Sequence, residues 1–357
     1  MKILVDIGHP AHVHLFKNVA KEMTRKGHEF LFTCREKEFE IDLLESNRLF
    51  YKTFGKKKTG AFGKLYGLFE FDLKMLKTAF LFKPDLFLSH GSIYAAHASF
   101  FLRRPHIALE DTFNFEQVRL YLPFTDHLIT ADYRHPLSKH PKNISINAYH
   151  ETAYLHPKRF KPNSEVLKEV GLTENEPFVI LRFVSWNATH DYGHEGISLE
   201  RKREAVQKFS KHAKVFISSE KPLPDEFRQY HLKIAPDKMH DLMSFASLLW
   251  AESFTMPAEC SVLGTPSIVM HNTMSYYLKE QQEKYNLCYI FSESDIDQQN
   301  AINKGIELLQ QKNLKNIWRS KRDNMLEQKI DLTEFLIGFI ENYPVSAVAY
   351  RNNGKHI

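Results

Sequence analysis

"ASLLWAESFTMPAECSVLGTPSIVM", residues 246–270, decides the architecture. "LLWAES" is an apolar run of strand length, "SFTM" interrupts it, and the stretch up to Gly264 has the length and composition of a helix. Pro266 then starts a second apolar run, "PSIVM". A strand, a helix and a strand in immediate succession form a βαβ unit, which belongs to a parallel sheet. Ser253 and Thr255 stand where the helix begins, and a helix start offers free N–H groups and a positive dipole end to phosphate. Thr255 and Glu259 are four apart and share a helix face. A phosphate at the tip and a carboxylate one turn along would suit the diphosphate and ribose hydroxyls of a nucleotide. The plainer reading of the same residues is an N-cap followed by a helical Glu.

The same alternation runs through the whole chain. "KILVDI" (2–7) reads as a strand and "HLFKNVAKEMTRKG" (14–27) as an amphipathic helix closed by Gly27. Strand candidates follow at 29–34, 85–90, 106–109 and 127–131, with helices between most of them. "YLHPKRFKPNS" (154–164) breaks the pattern as a linker. The alternation then restarts at 177–184, 214–219, 248–253, 266–271 and 288–291, and the last sixty residues read as helical. The expected domains are therefore 1–155, 165–330, and a C-terminal helix and tail over 331–357. The fold class expected is α/β, two doubly wound Rossmann-like parallel sheets facing a cleft, with ligands beyond the carboxyl ends of the strands.

Bulk properties narrow the function classes. At 357 residues the chain exceeds one ordinary core. A formal charge of +5 is too balanced for a dedicated nucleic-acid binder, so no nucleic acid is expected. Three scattered cysteines, Cys34, Cys260 and Cys288, offer neither a disulfide framework nor a paired-cysteine zinc signature. The start of the chain does not read as a signal peptide, and no uncharged apolar run approaches the roughly 20 residues of a bilayer span. A cytoplasmic protein is expected. "KKKTGAFGKLYGLFEFDLKMLKTAFLFK" (56–83) joins a lysine run to many aromatics. As an amphipathic surface it would suit anionic headgroups and peripheral contact with the inner face of a membrane; a mostly buried helix after a solvated loop is the alternative.

The segment at 246–270 resembles the C-terminal domain of GT-B glycosyltransferases and of the related non-hydrolysing UDP-N-acetylglucosamine 2-epimerases. There the pattern is a strand, Ser-Gly-[Ser/Thr], a helix carrying Glu, Gly-x-Pro and a strand; here Phe254 takes the place of the Gly. The likeness spans nearly the whole chain, which is also similar to an uncharacterised bacterial and archaeal family of that superfamily. It implies a GT-B fold, a nucleotide sugar (UDP-linked) as substrate, a glycan or lipid-linked acceptor, no cofactor and no bound metal.

"VDIGHPAHVHLF" (5–16) resembles the first loop of the GT-B enzyme that adds N-acetylglucosamine to the lipid-linked cell-wall precursor. That enzyme's Gly-His-Val corresponds to His12-Val13, which implies His12 as the base taking a hydroxyl proton, with His9 beside the substrate. An imidazole suits that work because its pKa lies near neutrality. A metal reading of the loop would use Asp6, His9, His12 and His14, helped by Glu110, Asp111, His190 and Asp191. Turn or cap chemistry is the remaining alternative.

In the epimerases the strand matching 85–90 ends in His-Gly-Asp, with a catalytic Asp; here Gly91 is followed by Ser92. Glu110 matches an epimerase Glu after the next strand, and Glu116 is the candidate for a second. "RFVSWNATHDYG" (182–193) follows the first strand of the second domain, where Arg182 or His190 would meet a diphosphate and Trp186 would shelter a ring. The expected substrate contacts are completed by Ser253, Phe254, Thr255 and Glu259. Glycosyl transfer leads these readings. An epimerase or hydrolase using Glu110, Glu116 and His190, and a non-catalytic sugar-nucleotide-binding protein, are the alternatives.

Overall fold

The computed structural model describes residues 1–352 apart from 37–38, 57–59, 113, 133–134, 185–195, 220 and 274. The chain divides into two compact units, one of Met1–Tyr154 with Lys329–Ile357, the other of Leu155–Gln328. The closing helices therefore return to the first unit instead of forming a separate tail. Thr333 secures that return by donating to the Ala153 carbonyl at 2.8 Å.

The first unit carries seven parallel strands: β1 (Lys2–Asp6), β2 (Glu29–Glu36), β3 (Tyr51–Lys56), β4 (Leu86–His90), β5 (His106–Glu110), β6 (His127–Ala131) and β7 (Asn143–Ile146). Their order is β3-β2-β1-β4-β5-β6-β7. The chain thus leaves β1 in one direction and, after β3, resumes on its other side at β4. A ligand crevice belongs at such a reversal. β1, β4, β5 and β6 are almost wholly buried, as central parallel strands covered by helices on both faces must be.

The second unit carries five strands: β8 (Phe178–Phe183), β9 (Lys214–Ser219), β10 (Leu248–Ala251), β11 (Ser267–Met270) and β12 (Cys288–Phe291). They are all parallel and ordered β12-β11-β10-β8-β9. The segment at 246–270 forms the βαβ unit its pattern predicts. Helix Thr255–Leu263 joins β10 to β11 and closes on Gly264 at φ 77°.

Two strands escape a reading by apolar runs. β3 and β7 are edge strands with mixed burial, and "YKTFGK" and "NISI" are too polar to stand out. Helix Ala61–Phe82 departs from a mostly buried helix. Tyr66, Phe69, Leu73 and Phe80 are each more than 60% exposed. Their spacing puts them on one helix face. Among the described residues no helix is long and apolar enough to cross a membrane.

Candidate functional site

The three histidines after β1 have three different fates. His9 is the N-cap of helix Pro10–Arg25: its Nδ1 accepts from the Ala11 N–H at 3.2 Å, and Pro10 supplies the pre-set first turn. His14 is buried, stacked on Tyr154 at 5.3 Å, with Lys17 3.1 Å from its Nδ1. His12 alone joins the neighbouring strand ends, its ring stacked on that of His90 with centroids 4.4 Å apart.

Around that stack a cluster forms from the carboxyl ends of β4 and β5 and from the segment after β7. His90 ends β4, and its Nε2 lies 2.9 Å from Asp111 Oδ1. Asp111 follows β5 directly and presents its second oxygen to His150 Nδ1 at 3.0 Å. The His90 and His150 rings meet edge to face at 5.2 Å. Burial alone would hold the His90 imidazole neutral, but the Asp111 charge and hydrogen bond, aided by Glu110, push its pKa up to about 9. Burial would raise the Asp111 carboxyl, yet His150 and His90 hold it well below the usual carboxylate range. His12 moves the other way. Burial and then the neighbouring His90 and His9 keep its pKa well below that of free imidazole, so the ring is neutral.

The Gly8 N–H donates to His12 Nδ1 at 3.2 Å. A neutral imidazole has one donor and one acceptor nitrogen, so His12 carries its proton on Nε2. This tautomer recasts the role expected of His12: it is built to donate a hydrogen bond, and its lone pair is already engaged.

The surrounding carboxylates are spoken for. Asp6, at the end of β1, accepts both oxygens' worth of contact from Arg35 Nη1 at 2.6 and 2.7 Å, with Thr33 at 2.7 Å. Ser92 donates to the other Asp6 oxygen and caps helix Ile93–Leu102 through the Ala95 N–H. Glu110 is buried, accepting from Tyr121 at 2.7 Å and from Thr112 main chain and hydroxyl at 3.0 Å. Gly91 is required between them. It sits at φ 54°, and a Cβ there would lie 3.0 Å from the Tyr121 ring and 3.1 Å from Glu110. Glu116 lies elsewhere, exposed in the first turn of helix Phe115–Tyr121, where a carboxylate complements the helix dipole.

In the second unit, Ser253, Phe254 and Thr255 stand at the helix start as expected, all partly exposed. Phe254 packs its ring on His271 at 4.3 Å. Glu259 is not an exposed helical Glu. It is buried, with Oε1 2.9 Å from His240 Nε2. Arg182 donates to Ser218 Oγ at 3.1 Å. Trp186 and His190, with Asp191, lie outside the described residues. A further carboxylate, Glu252 after β10, accepts from the Val184 and Ile197 N–H groups at 2.8 and 2.7 Å and from Lys202 at 2.9 Å.

Sequence reasoning missed His150, and left His90 and Glu252 out of the site. For His90 and Glu252 the signal was available, since each stands at the carboxyl end of a parallel strand, where ligands of such sheets are met. His150 has no local motif. Only the parallel order of β5, β6 and β7 brings it to Asp111.

Two doubly wound parallel sheets in one chain, with polar side chains at the carboxyl ends of their strands, have the architecture of the GT-B fold. Solved structures share that fold over nearly their full length. A Listeria monocytogenes protein assigned as a UDP-N-acetylglucosamine 2-epimerase matches with a TM-score of 0.70 at 12% identity, covering 96% of each chain. The S. aureus MnaA–UDP co-structure matches with 0.68 at 12% identity, again over 96% of each chain. Spinosyn forosaminyltransferase SpnP matches with 0.60 at 13% identity, over 95% of this chain and 99% of its own. Within that class the chain belongs to the DUF354 family, described as a protein of unknown function, whose model matches residues 1–338. The uncharacterized protein MJ0665 of Methanocaldococcus jannaschii is 25% identical over 282 residues, which is 75% of this chain and 81% of the relative.

Proposed function

We propose that the protein is a glycosyltransferase that moves a sugar from a UDP-type nucleotide sugar to a hydroxyl acceptor. The observation that carries this reading is the state of Ser92. At the position where the resembling epimerases have a catalytic Asp, this chain has a buried serine fully occupied as a helix cap and as a donor to Asp6. The strand ends instead present imidazoles, which suit the handling of an acceptor's proton. In the transfer the anomeric C–O bond to the diphosphate breaks, a bond to the acceptor oxygen forms, and the hydroxyl proton passes to solvent, with the charged His90–Asp111 pair positioning the acceptor. His12 donates its Nε2–H to a substrate oxygen. The second unit binds the nucleotide, with the start of helix Thr255–Leu263 beside the diphosphate and Glu259 facing the ribose hydroxyls.

The exposed face of helix Ala61–Phe82 supports a lipid-linked acceptor and peripheral contact with an anionic membrane. Lys77 lies exposed on the same face as Tyr66, Phe69, Leu73 and Phe80. A basic and aromatic stripe of this kind matches the headgroup region.

The reading is tested by thermal shift against a panel of UDP-, dTDP- and GDP-sugars, followed by turnover of the ligands that stabilise the fold. UDP release that requires a glycan or polyprenyl-linked acceptor is the expected result. Conversion of UDP-N-acetylglucosamine to its 2-epimer with no acceptor present would overturn it in favour of epimerase chemistry, for which the buried Glu110 speaks.

A further inference from the structure

His90 Nε2, an Asp111 carboxylate oxygen and His150 Nδ1 lie within 4.8 Å of one another. We infer that these three side chains form a binding site for a divalent d-block cation of the zinc type. The inference runs against the metal-free state that the glycosyltransferase resemblance implies, and it does not depend on the proposed reaction.

Spacing is the first argument. Each imidazole nitrogen stands 2.9 or 3.0 Å from its own oxygen of Asp111. Zinc binds imidazole nitrogen at about 2.0–2.1 Å and carboxylate oxygen at about 2.0–2.2 Å, which puts the ligand atoms of a tetrahedral site roughly 3.4 Å apart. Each imidazole nitrogen is already within about half an ångström of that separation from its Asp111 oxygen, and all three ligand atoms lie within 4.8 Å of one another, so small side-chain rotations would seat a cation without moving the strands.

Orientation is the second. Both imidazoles aim a ring nitrogen at the same carboxylate, His90 Nε2 at one oxygen of Asp111 and His150 Nδ1 at the other. The two rings meet edge to face at 5.2 Å, so three donor groups from separate segments converge around Asp111.

The donor set and the access agree. Two imidazoles and one carboxylate favour zinc, cobalt, iron or manganese over magnesium and calcium, which prefer all-oxygen shells. The side chains of His90, Asp111 and His150 keep 11–16% of their surface exposed, enough for an ion to enter and for solvent to complete its coordination. Asp6 and Glu110 are held by Arg35 and Tyr121, which leaves Asp111 as the anion that both imidazoles face.

The test uses the full-length protein, stripped with chelator and titrated with Co²⁺ in the absence of any sugar nucleotide. The expected result is one ion per chain, with visible d–d absorption typical of nitrogen and oxygen ligation. His150→Ala and Asp111→Asn should weaken binding by at least about 100-fold, beyond the roughly 10- to 100-fold typical of an outer-shell loss. His97→Ala serves as a control, because His97 lies outside the cluster, facing Asp72 at 2.9 Å and the Leu120 carbonyl at 3.2 Å. No absorption band with the unsubstituted chain overturns the inference whatever the variants do, and so does a band unchanged in folded His150→Ala. Metal bound without transferase activity would count against the proposed function only.

Discussion

Each unit carries a pairing of charged and polar groups at its strand ends, and the two pairings differ in how far they are sealed. After β10, Glu252 and Lys202 are 5% and 2% exposed, and Glu252 also gathers two main-chain N–H groups. After β4 and β5, His90 and Asp111 keep 12% and 16% of their side-chain surface. The sealed pair has nothing left to offer a substrate and ties β8, β10 and helix Leu199–Phe209 together. The half-open cluster is reachable, and the protonation of His90 and Asp111 is shifted by their neighbours, a setting in which functional sites and structural ion pairs are both found. The same topology thus seals its charged pair at one set of strand ends and leaves it half open at the other.

The largest expected effect tests the structural half of that contrast. Glu252→Ala would leave the Lys202 ammonium and two N–H groups buried without their acceptor. Breaking a buried pair from one side costs about 3–5 kcal/mol. The three tryptophans, Trp186, Trp250 and Trp318, all lie within 155–328. Tryptophan fluorescence in a urea titration therefore reports the second unit, and its midpoint should fall sharply. Replacing both partners, as Lys202→Met with Glu252→Leu, should recover much of the loss, though not the part due to the two N–H groups. A Glu252→Ala midpoint within error of the parent would remove the distinction between sealed and working charges.

The next test separates the functions assigned to the two units. His12→Ala removes the Nε2–H donor and should lower turnover by roughly 100-fold while UDP affinity stays constant. Glu259→Gln keeps an acceptor for His240 but loses the charge offered to ribose hydroxyls. A hydrogen bond to a charged group is worth about 1.5–3 kcal/mol, so UDP affinity should fall about 10- to 100-fold by calorimetry. Unchanged affinity in folded Glu259→Gln would end the assignment of the nucleotide to the second unit.

Much of this layout can be read from the chain before folding. Among the described residues, ten of the twelve strands coincide with apolar runs, and the start of helix Thr255–Leu263 falls where the Ser-Phe-Thr break puts it. The limits have physical causes. An edge strand such as β7 is half solvated, so its pattern is weak. His9, His12 and His14 cannot be told apart by type or spacing, because their fates depend on what the helix faces. His9 lies before the first turn, His14 points at Tyr154, and His12 at His90. The Asp111–His150 pair is a product of tertiary order alone.

The smallest expected effect is a pH dependence confined to the first unit. His106, at the start of β5, is fully buried between Ser89 and Thr125, at 2.9 Å from each. Burial, then the charge of Lys142, lowers its pKa from 6.5 to about 3. The unfolded chain accepts a proton at this ring well before the folded one does. Stability from His106 is therefore complete above about pH 6.5 and declines as the pH falls through the window towards about 3. The slope approaches about 1.4 kcal/mol per pH unit for one proton. His90, whose pKa is raised, acts only between about 6.5 and 9, and Asp111 only below the ordinary carboxylate range, so neither obscures an interval from about pH 6 to 4.5. His12, His127 and His135 are depressed like His106 and add to the same slope. His106→Gln should thus be less stable at pH 7 yet lose about one proton's share of the decline between pH 6 and 4.5, measured by urea titrations followed by far-UV circular dichroism. The tryptophan-reported transition of the second unit should keep its own pH course in that variant. If its slope changes as well, the two units do not respond to acid separately, and the contrast between them fails at the level of stability.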